Sequence, residues 1–500
     1  MPNFLGLDIG TTSIKAILLD TDKGRIISSS SLPTPVEHSS TGMDEHDPCL
    51  LFDTAARCIQ MAVSHNQVHA LGISSFAEAG LPLDRSGSPL FPIIAWYDKR
   101  SQQQAEAILE FFSPIHLFQI TGQKTGFSFG LFKYMWIKEK YPDSVKDMEF
   151  WLSVPDYILY RLTGKMATDY TQASRTMLFD QRKKNWSDEL LQYAQIAPNN
   201  LPTLLPSGSV MGSITREASE ITGLPAGTPC VTGGHDHLCG AYASGGIQSG
   251  NFIDSSGTAC AVMALTSEFN DSRDISLSGY VNYIHVVPDT YVIKGGLKAA
   301  GKAVEWLASR LNRDDLFSGD ALTERYRSSH IPRPLWLPFF LGSGTPAMEP
   351  YNRASLVGVT LDHSSEDIAI ALLESLGFWL RNNLEAMQKI TGLIPEKIIS
   401  IGGTNQSKLV RQIKANISNL PVETPSVPQS SAIGAALLAA VGTGIAESYH
   451  KAPLLLDYPF ITIYPDTNLV THYNSTYENV YLPAINRLKD ITVCMQRTNK

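Results

Sequence analysis

Apolar positions recur with a period of two over the first thirty residues. Phe4, Leu5, Leu7 and Ile9 make an apolar run that carries Asp8 near its end, and Gly10-Thr11-Thr12-Ser13 interrupts it. Ile14, Ala16 and Leu18 then alternate with Lys15, Ile17 and Leu19 up to a Thr21-Asp22-Lys23-Gly24 turn, and Arg25 to Ser30 is a further extended run. This period predicts a meander of strands rather than a strand feeding a helix. Half a chain later the pattern returns: Asn251-Phe252-Ile253-Asp254 leads to Gly257-Thr258, and an apolar run follows.

Between these hairpins the pattern predicts a helix from about Leu50 to His65, a buried strand from Val68 to Ser74, and a strand from Ile93 that ends in Trp96, Asp98 and Arg100. Gln102 to about Ala194 reads as helical, with Trp136, Trp151 and Trp186 as core pieces. A Pro-rich connection, Pro198 to Pro206, precedes a strand and helix over Gly208 to Thr222. A strand from Pro229 then runs into Gly233-Gly234-His235-Asp236-His237. A helix of small residues, Leu238 to Ser244, stops at Gly245-Gly246, which marks the expected boundary between a domain of 1–246 and one of 247–500.

The second half predicts a helix over Lys298 to Leu311 and a strand over Trp336 to Leu341. A long helix opens at Ser364, where Asp367 three residues on resembles a capping box. Ile398 to Ile401 enters a Gly402-Gly403 loop, a helix follows from Lys408, and Ala432 begins a helix of small residues suited to close packing.

Five hundred residues exceed what one core usually supports, in keeping with two domains. A formal net charge of −8 disfavours nucleic acid and anionic membrane as partners and favours a small ligand. Cys49, Cys58, Cys230, Cys239, Cys260 and Cys494 include no C-x-x-C pair, and the chain opens on a strand rather than an apolar leader. No apolar run is long enough to span a bilayer. The expected location is cytoplasmic.

The opening turn has the chemistry of a phosphate and metal site: a carboxylate at a buried strand end beside Gly, Thr, Thr and Ser. A P-loop or dinucleotide fingerprint must open a helix, and no G-x-x-x-x-G-K-[ST] is present. The expected arrangement is a phosphate against a β-hairpin, held by backbone N–H groups and hydroxyls, as in actin-like ATPases. An ordinary sheet-starting hairpin is the alternative. Two such hairpins half a chain apart point to an α/β fold of two ribonuclease-H-like (actin-like ATPase) domains with a nucleotide in the interdomain cleft.

In order and spacing, these motifs resemble the FGGY carbohydrate kinases along essentially the whole chain. Gly10-Thr11-Thr12 resembles the family's first phosphate motif, Gly257-Thr258 the second, and Ile401-Gly402-Gly403 the adenosine motif. Tyr351 to His363 is similar to a family signature, and Ala173 to Phe179 ahead of Trp186 resembles the glycerol and gluconate kinase branches.

The resemblance implies transfer of the γ-phosphoryl of ATP to a sugar or polyol hydroxyl, with Asp236 as the base that receives the proton. An N-cap is the structural alternative for Asp236. It further implies that Asp8 organises Mg²⁺, that Thr11, Thr12, Ser13, Lys15 and Thr258 hold phosphates, and that Gly301, Gly402 and Gly403 let the nucleotide approach the backbone. His235 and His237 lack the further ligands of a zinc site, and a sugar or water contact is expected of them.

Glu78 falls where glycerol kinases have a hydroxyl-binding Glu, but the Arg before it there is Ala77 here, which disfavours glycerol. Trp96, Asp98 and Arg100 resemble an element near the sugar, an interior salt bridge being the alternative. Ser343-Gly344 stand where many members have Glu-Arg, and Ser430-Ser431 replace a frequent acidic residue. Two rivals remain at this point, a non-catalytic actin-like ATP-binding scaffold and an ATP-dependent activator or hydrolase. The sugar and the oligomeric state, a homodimer among the options, stay open.

Overall fold

The computed structural model describes residues 2–38, 42–64, 66–313, 315–317, 320–328, 332–426 and 429–498. The first half builds one mixed sheet from β1 (Asn3–Ile9), β2 (Ser13–Asp20), β3 (Arg25–Pro33), β4 (Ala70–Ser75), β5 (Val210–Ser213) and β6 (Pro229–His235), in the order β5-β6-β4-β1-β2-β3. The second half builds another from β7 (Phe252–Ser256), β8 (Cys260–Thr266), β9 (Val281–Ile284), β10 (Tyr291–Leu297), β11 (Ile398–Ile401), β12 (Val422–Pro425) and β13 (Phe460–Ile463), in the order β9-β10-β8-β7-β11-β12-β13.

The two sheets share one plan. β1 and β2 are antiparallel and β1 and β4 parallel, with Asp8 opposite Ser74. β7 and β8 are antiparallel and β7 and β11 parallel, with Asp254 opposite Ser400. The echo between the two hairpins is therefore a repeat of topology, with each aspartate opposite a serine of the parallel strand, although Asp254 stands one pair further from its turn than Asp8.

Helices flank both sheets: α1 (Pro48–Val63), α2 (Asp236–Ala243), α3 (Gly301–Arg310), α4 (Ser365–Thr391), α5 (Lys408–Ser418) and α6 (Ser430–Gly442). The capping box at Ser364 is present: its hydroxyl accepts from the Asp367 N–H, and the Asp367 carboxylate accepts from the Ser364 N–H at 3.0 Å. Gly392, left-handed at φ 73°, ends α4.

Some expected elements are cut short for identifiable reasons. His65 lies outside the described residues, and α1 ends at Val63. The strand at Trp336 covers only Leu335–Leu337, because Pro338 has no N–H to continue it. The helix expected from Lys298 begins at Gly301, since the Ala300 and Gly301 N–H groups are given to the carbonyls of Thr258 and Gly257. The region read as helical from Gln102 also contains short strands, among them Phe150–Ser153 and Ala167–Asp169.

The small-residue helices α2 and α6 lie together between the sheets. One core cluster joins Phe4, Ile17 and Ala70 of the first sheet, Ile253, Met263 and Ile399 of the second, and Leu238, Tyr242, Ala432 and Ala436 of the two helices. Although α6 comes late in the chain, it rests directly on β1 and β4. A Cβ on Gly6 would stand 1.8 Å from the Ala432 carbonyl oxygen, and one on Gly72 would stand 2.1 Å from that of Ala435. The helix lies against bare backbone, and no side chain can be inserted without moving it. Gly72→Ala is accordingly expected to destabilise the protein by about 1–3 kcal/mol through overpacking; urea unfolding of the variant measures this, and an unchanged midpoint would refute the close approach.

Candidate active site

The first hairpin turn is locked from both sides. Gly10 N donates to the Ser13 carbonyl at 3.1 Å, and Thr34 braces the loop by donating its hydroxyl to the Gly10 carbonyl and its N–H to that of Thr12. Trp96 Nε1 donates to Thr11 Oγ1 at 3.0 Å, tying the turn to the strand end beside it. Thr12 stays exposed, with Ser13 and Lys15 partly so, and these groups are available to a ligand.

Asp8 sits beneath this turn, 8% exposed, accepting from Ser74 Oγ at 3.0 Å. Burial, then the charge of Asp236, pushes its pKa up to about 7. Asp236 is the first residue of α2, at the end of β6, and its Oδ1 accepts from the His237 N–H at 2.6 Å. The carboxylate therefore serves the helix start and faces the cleft at once, about a quarter exposed to it. Burial raises its pKa to about 6, opposed by the His237 N–H and by the charges of Lys294 and Arg175.

His235, Asp236 and His237 offer ligand atoms that all lie within 4.8 Å of one another. The His235 ring is buried with Nε2 3.2 Å from Asp236 Oδ1, and the His237 ring stands 5.3 Å from it. The charge of Lys294, then burial, drives the His237 pKa down to about 3, so both imidazoles are neutral.

Glu78 occupies a left-handed backbone conformation, φ 72°, unusual for a residue with a side chain. Arg175 Nε donates to Glu78 Oε1 at 2.8 Å, Nη2 bonds the same oxygen, and Nη1 donates to Gln123 Oε1 at 2.7 Å. The arginine missing at position 77, where Ala77 is buried, is thus supplied 97 residues away in sequence.

Asp98 takes the interior salt-bridge alternative. Its Oδ2 accepts from Arg100 Nη2 at 2.6 Å and from the Asp44 N–H, and its Oδ1 accepts from the Arg100 N–H. Arg100 also bonds Glu45. The engagement of both oxygens favours the interior salt bridge over a direct sugar contact, and the carboxylate holds the wall that carries Trp96.

From the second domain, Thr258 projects exposed at its hairpin. A Cβ on Gly301 would meet the Gly257 carbonyl at 2.6 Å, so the close approach there is made by the hairpin itself. Gly402, at φ 95°, presses on the Ser256 backbone, while a Cβ on Gly403 would meet nothing within 4 Å, leaving that backbone open to a ligand. Ser431 Oγ donates to the Asp236 carbonyl at 3.0 Å, and Ser430 lies against Gly240. The two serines serve the α2–α6 contact. Ser343 Oγ accepts from the Glu349 N–H, and the neighbouring Thr345 hydroxyl accepts from the Gly296 N–H, so this loop braces the end of β10.

Asp254, the counterpart of Asp8, is completely enclosed. Its Oδ2 accepts from Lys414 Nζ at 2.5 Å and from Ser400 Oγ at 3.2 Å. The same ammonium donates to Ser256 Oγ and Asn405 Oδ1, both at 2.8 Å. The network joins the second hairpin to the Gly402-Gly403 loop. Arg175, Lys294, Tyr283 and Lys414 all escaped the sequence reading of the site. Only Arg175 lay in a segment singled out there, and the others sit in strands and helices with no local signature.

Lys414→Met, which strands Asp254 without its cation, is expected to cost about 3–5 kcal/mol of stability, and Asp254→Asn combined with it to recover most of that. Chemical unfolding of the single and double variants decides, and equal stability of the two would refute the pairing.

Residues 3–243 match the sequence model of the FGGY family of carbohydrate kinases, N-terminal domain, and residues 254–443 that of its C-terminal domain. The chain is 28% identical over 446 residues to the xylulose kinase of Staphylococcus xylosus, spanning 88% of this chain and 91% of that protein. It is 28% identical over 460 residues to the glycerol kinase of Thermococcus gammatolerans, spanning 89% and 90%. Among solved structures, the xylulose kinase from Rhodospirillum rubrum superposes with a TM-score of 0.88 at 25% identity, over 98% of this chain and 99% of that one. The gluconate kinase from Lactobacillus acidophilus shares the fold with a TM-score of 0.88 at 24% identity, over 98% of each chain.

Proposed function

The chain belongs to the FGGY family of carbohydrate kinases, and from that premise we propose that Asp236 is the base of an ATP-dependent phosphorylation whose acceptor lies between Asp236 and Glu78. The enzyme phosphorylates a hydroxyl of a small carbohydrate or polyol at the expense of ATP. The observation that supports the residue assignment is the sheet register, in which β4 lies between β1 and β6 with Asp8 opposite Ser74 and His235, next to Asp236, opposite Ser75.

With a pKa near 6, Asp236 is ionised at neutral pH and can take the acceptor's proton as the oxygen–phosphorus bond forms and the bond to the leaving ADP oxygen breaks. Thr11, Thr12, Ser13 and Lys15 receive phosphate oxygens from one side and Thr258 from the other. Gly402 and Gly403 pass the adenosine, and Gly301 shapes the second hairpin against it. Glu78, oriented by Arg175, takes acceptor hydroxyls, with Trp96 and His237 as walls; Asp98 acts through Trp96.

Asp8 suits Mg²⁺: it is a hard oxygen donor, and its raised pKa marks a buried carboxylate short of positive charge, whereas its counterpart Asp254 has Lys414. Mg²⁺ held there would neutralise the charge on the transferring phosphates. Asp8, braced by Ser74, orients that charge toward the hairpin hydroxyls. Among the described residues no helix is long and apolar enough to cross a membrane. Cys58, Cys230, Cys239 and Cys260 are buried thiols, in keeping with the expected cytoplasmic location.

Asp236→Asn is expected to keep ATP binding and the fold while losing about 10²–10⁴-fold in turnover; normal turnover in a coupled ADP assay would sink the assignment. Since the active form is the carboxylate, kcat/KM of the parent should fall as pH drops through about 6, and an acid limb at the ordinary carboxylate value near 4 would count against it. Asp8→Asn should raise the Mg²⁺ concentration for half-maximal rate about 10–100-fold, read by titrating Mg²⁺ at fixed ATP; an unchanged requirement would remove Asp8 from that role.

A further inference from the structure

Lys294 lies on β10, opposite Met263 of β8 and Val281 of β9. Side chains alternate along a strand, so it shares a face with Val292, which belongs to the core between the two sheets, while Ile293 points to the far core. On that face Tyr283 brings the second domain to the acceptor site: its ring lies 6.5 Å from His235, and the Arg175 guanidinium sits 5.5 Å over it. Lys294 thus stands on the same face as Tyr283, beside the acceptor pocket, within the field of Arg175, Glu78 and Asp236.

Lys294 is partly buried, and its bonding differs from that of the deeply buried Lys133 and Lys414. Lys133 donates to the carbonyls of Trp96 and Phe127, and Lys414 makes three bonds. Lys294 forms no hydrogen bond and no ion pair with any described residue, and burial, then the Arg175 charge, lowers its pKa to about 8. A partly buried ammonium that no protein group accepts from is available to a ligand. Arg175 gives three of its five N–H donors to Glu78 and Gln123, while no described residue accepts from the Lys294 ammonium, which leaves it as a charged donor for a ligand.

Resting on the reading of this pocket as the acceptor site, we propose that Lys294 is a specificity-determining residue that binds an acceptor-only oxygen on an oxidised carbon of the substrate. That oxygen is a ketose carbonyl or a sugar-acid carboxylate. Glu78 and Asp236 accept only, and so match the hydroxyls of the chain. The ammonium donates only, and a carbonyl or carboxylate satisfies it without needing an acceptor for a further proton. The bond is charge-assisted and formed out of water, where it discriminates most against a plain hydroxyl. A polyol binds with this ammonium only partly satisfied.

The test compares pentitol, pentulose and pentonate acceptors of matched configuration, with tetrose- and hexose-length equivalents, in a coupled ADP assay of the full chain. The parent should favour a ketose or an aldonate over the matching polyol by about 10- to 100-fold in kcat/KM, and the preferred one identifies the source of the oxygen. Lys294→Gln and Lys294→Met should erase that preference through KM, leave the KM for ATP within about twofold, and leave the melting temperature unchanged or higher, since a charge lacking protein partners is removed. A parent that prefers polyols overturns the proposal. So does a variant whose kcat falls equally for every acceptor at constant KM, which would assign Lys294 to the phosphoryl group. Asp236→Asn run in parallel separates the two readings: if it stays active the acceptor-site assignment itself fails, and if it is inactive while Lys294→Gln keeps the preference, only the role of Lys294 fails.

Discussion

The close seating of α6 on the glycine backbone of β1 and β4 is the constraint on which the rest of the arrangement depends. With no side chain at Gly6 or Gly72, the helix settles onto the first sheet, and α2 beside it carries the start of the Asp236 turn to a fixed place. The second sheet closes over the same pair of helices. A bulkier interface would separate the two hairpins and with them the groups that must meet on one phosphate.

The elements around that layer follow from local chemistry. β1, central in its sheet and buried on both faces, has the continuous apolar character such a strand requires. Ser431 fills its position because the Asp236 carbonyl needs a donor there, and Ser430 because Gly240 leaves little room. The wall behind Trp96 is held by a buried Asp98–Arg100–Glu45 chain of charge, which fixes the indole that steadies Thr11.

What could be read in the sequence was whatever is written in contiguous residues. The two hairpins, the Ser364 cap and the Gly402-Gly403 loop each carry their signal within a few positions, and the matching serine partners of Asp8 and Asp254 follow from the repeat. The acceptor pocket was much less legible. Glu78 was visible, but its partner Arg175 comes from a distant turn, and Lys294 from a strand of the other domain whose pattern looks like core. Asp98 left two alternatives open, because a carboxylate beside a tryptophan looks the same on paper whether it faces a sugar or an arginine, and its bonds to Arg100 appear only in the fold. Partners across the fold determine such roles, and a single sequence does not list them.

The pairing of Asp254 with Lys414 has a mechanical consequence. The ammonium is covalently part of α5 and cannot dissociate, so the second hairpin and the Gly402-Gly403 loop are held together by a charge the chain itself supplies. Among the described residues Asp8 has no such tether, and its carboxylate accepts from Ser74 alone. Two copies of the same hairpin thus differ in whether the charge of the buried carboxylate is balanced from within the chain.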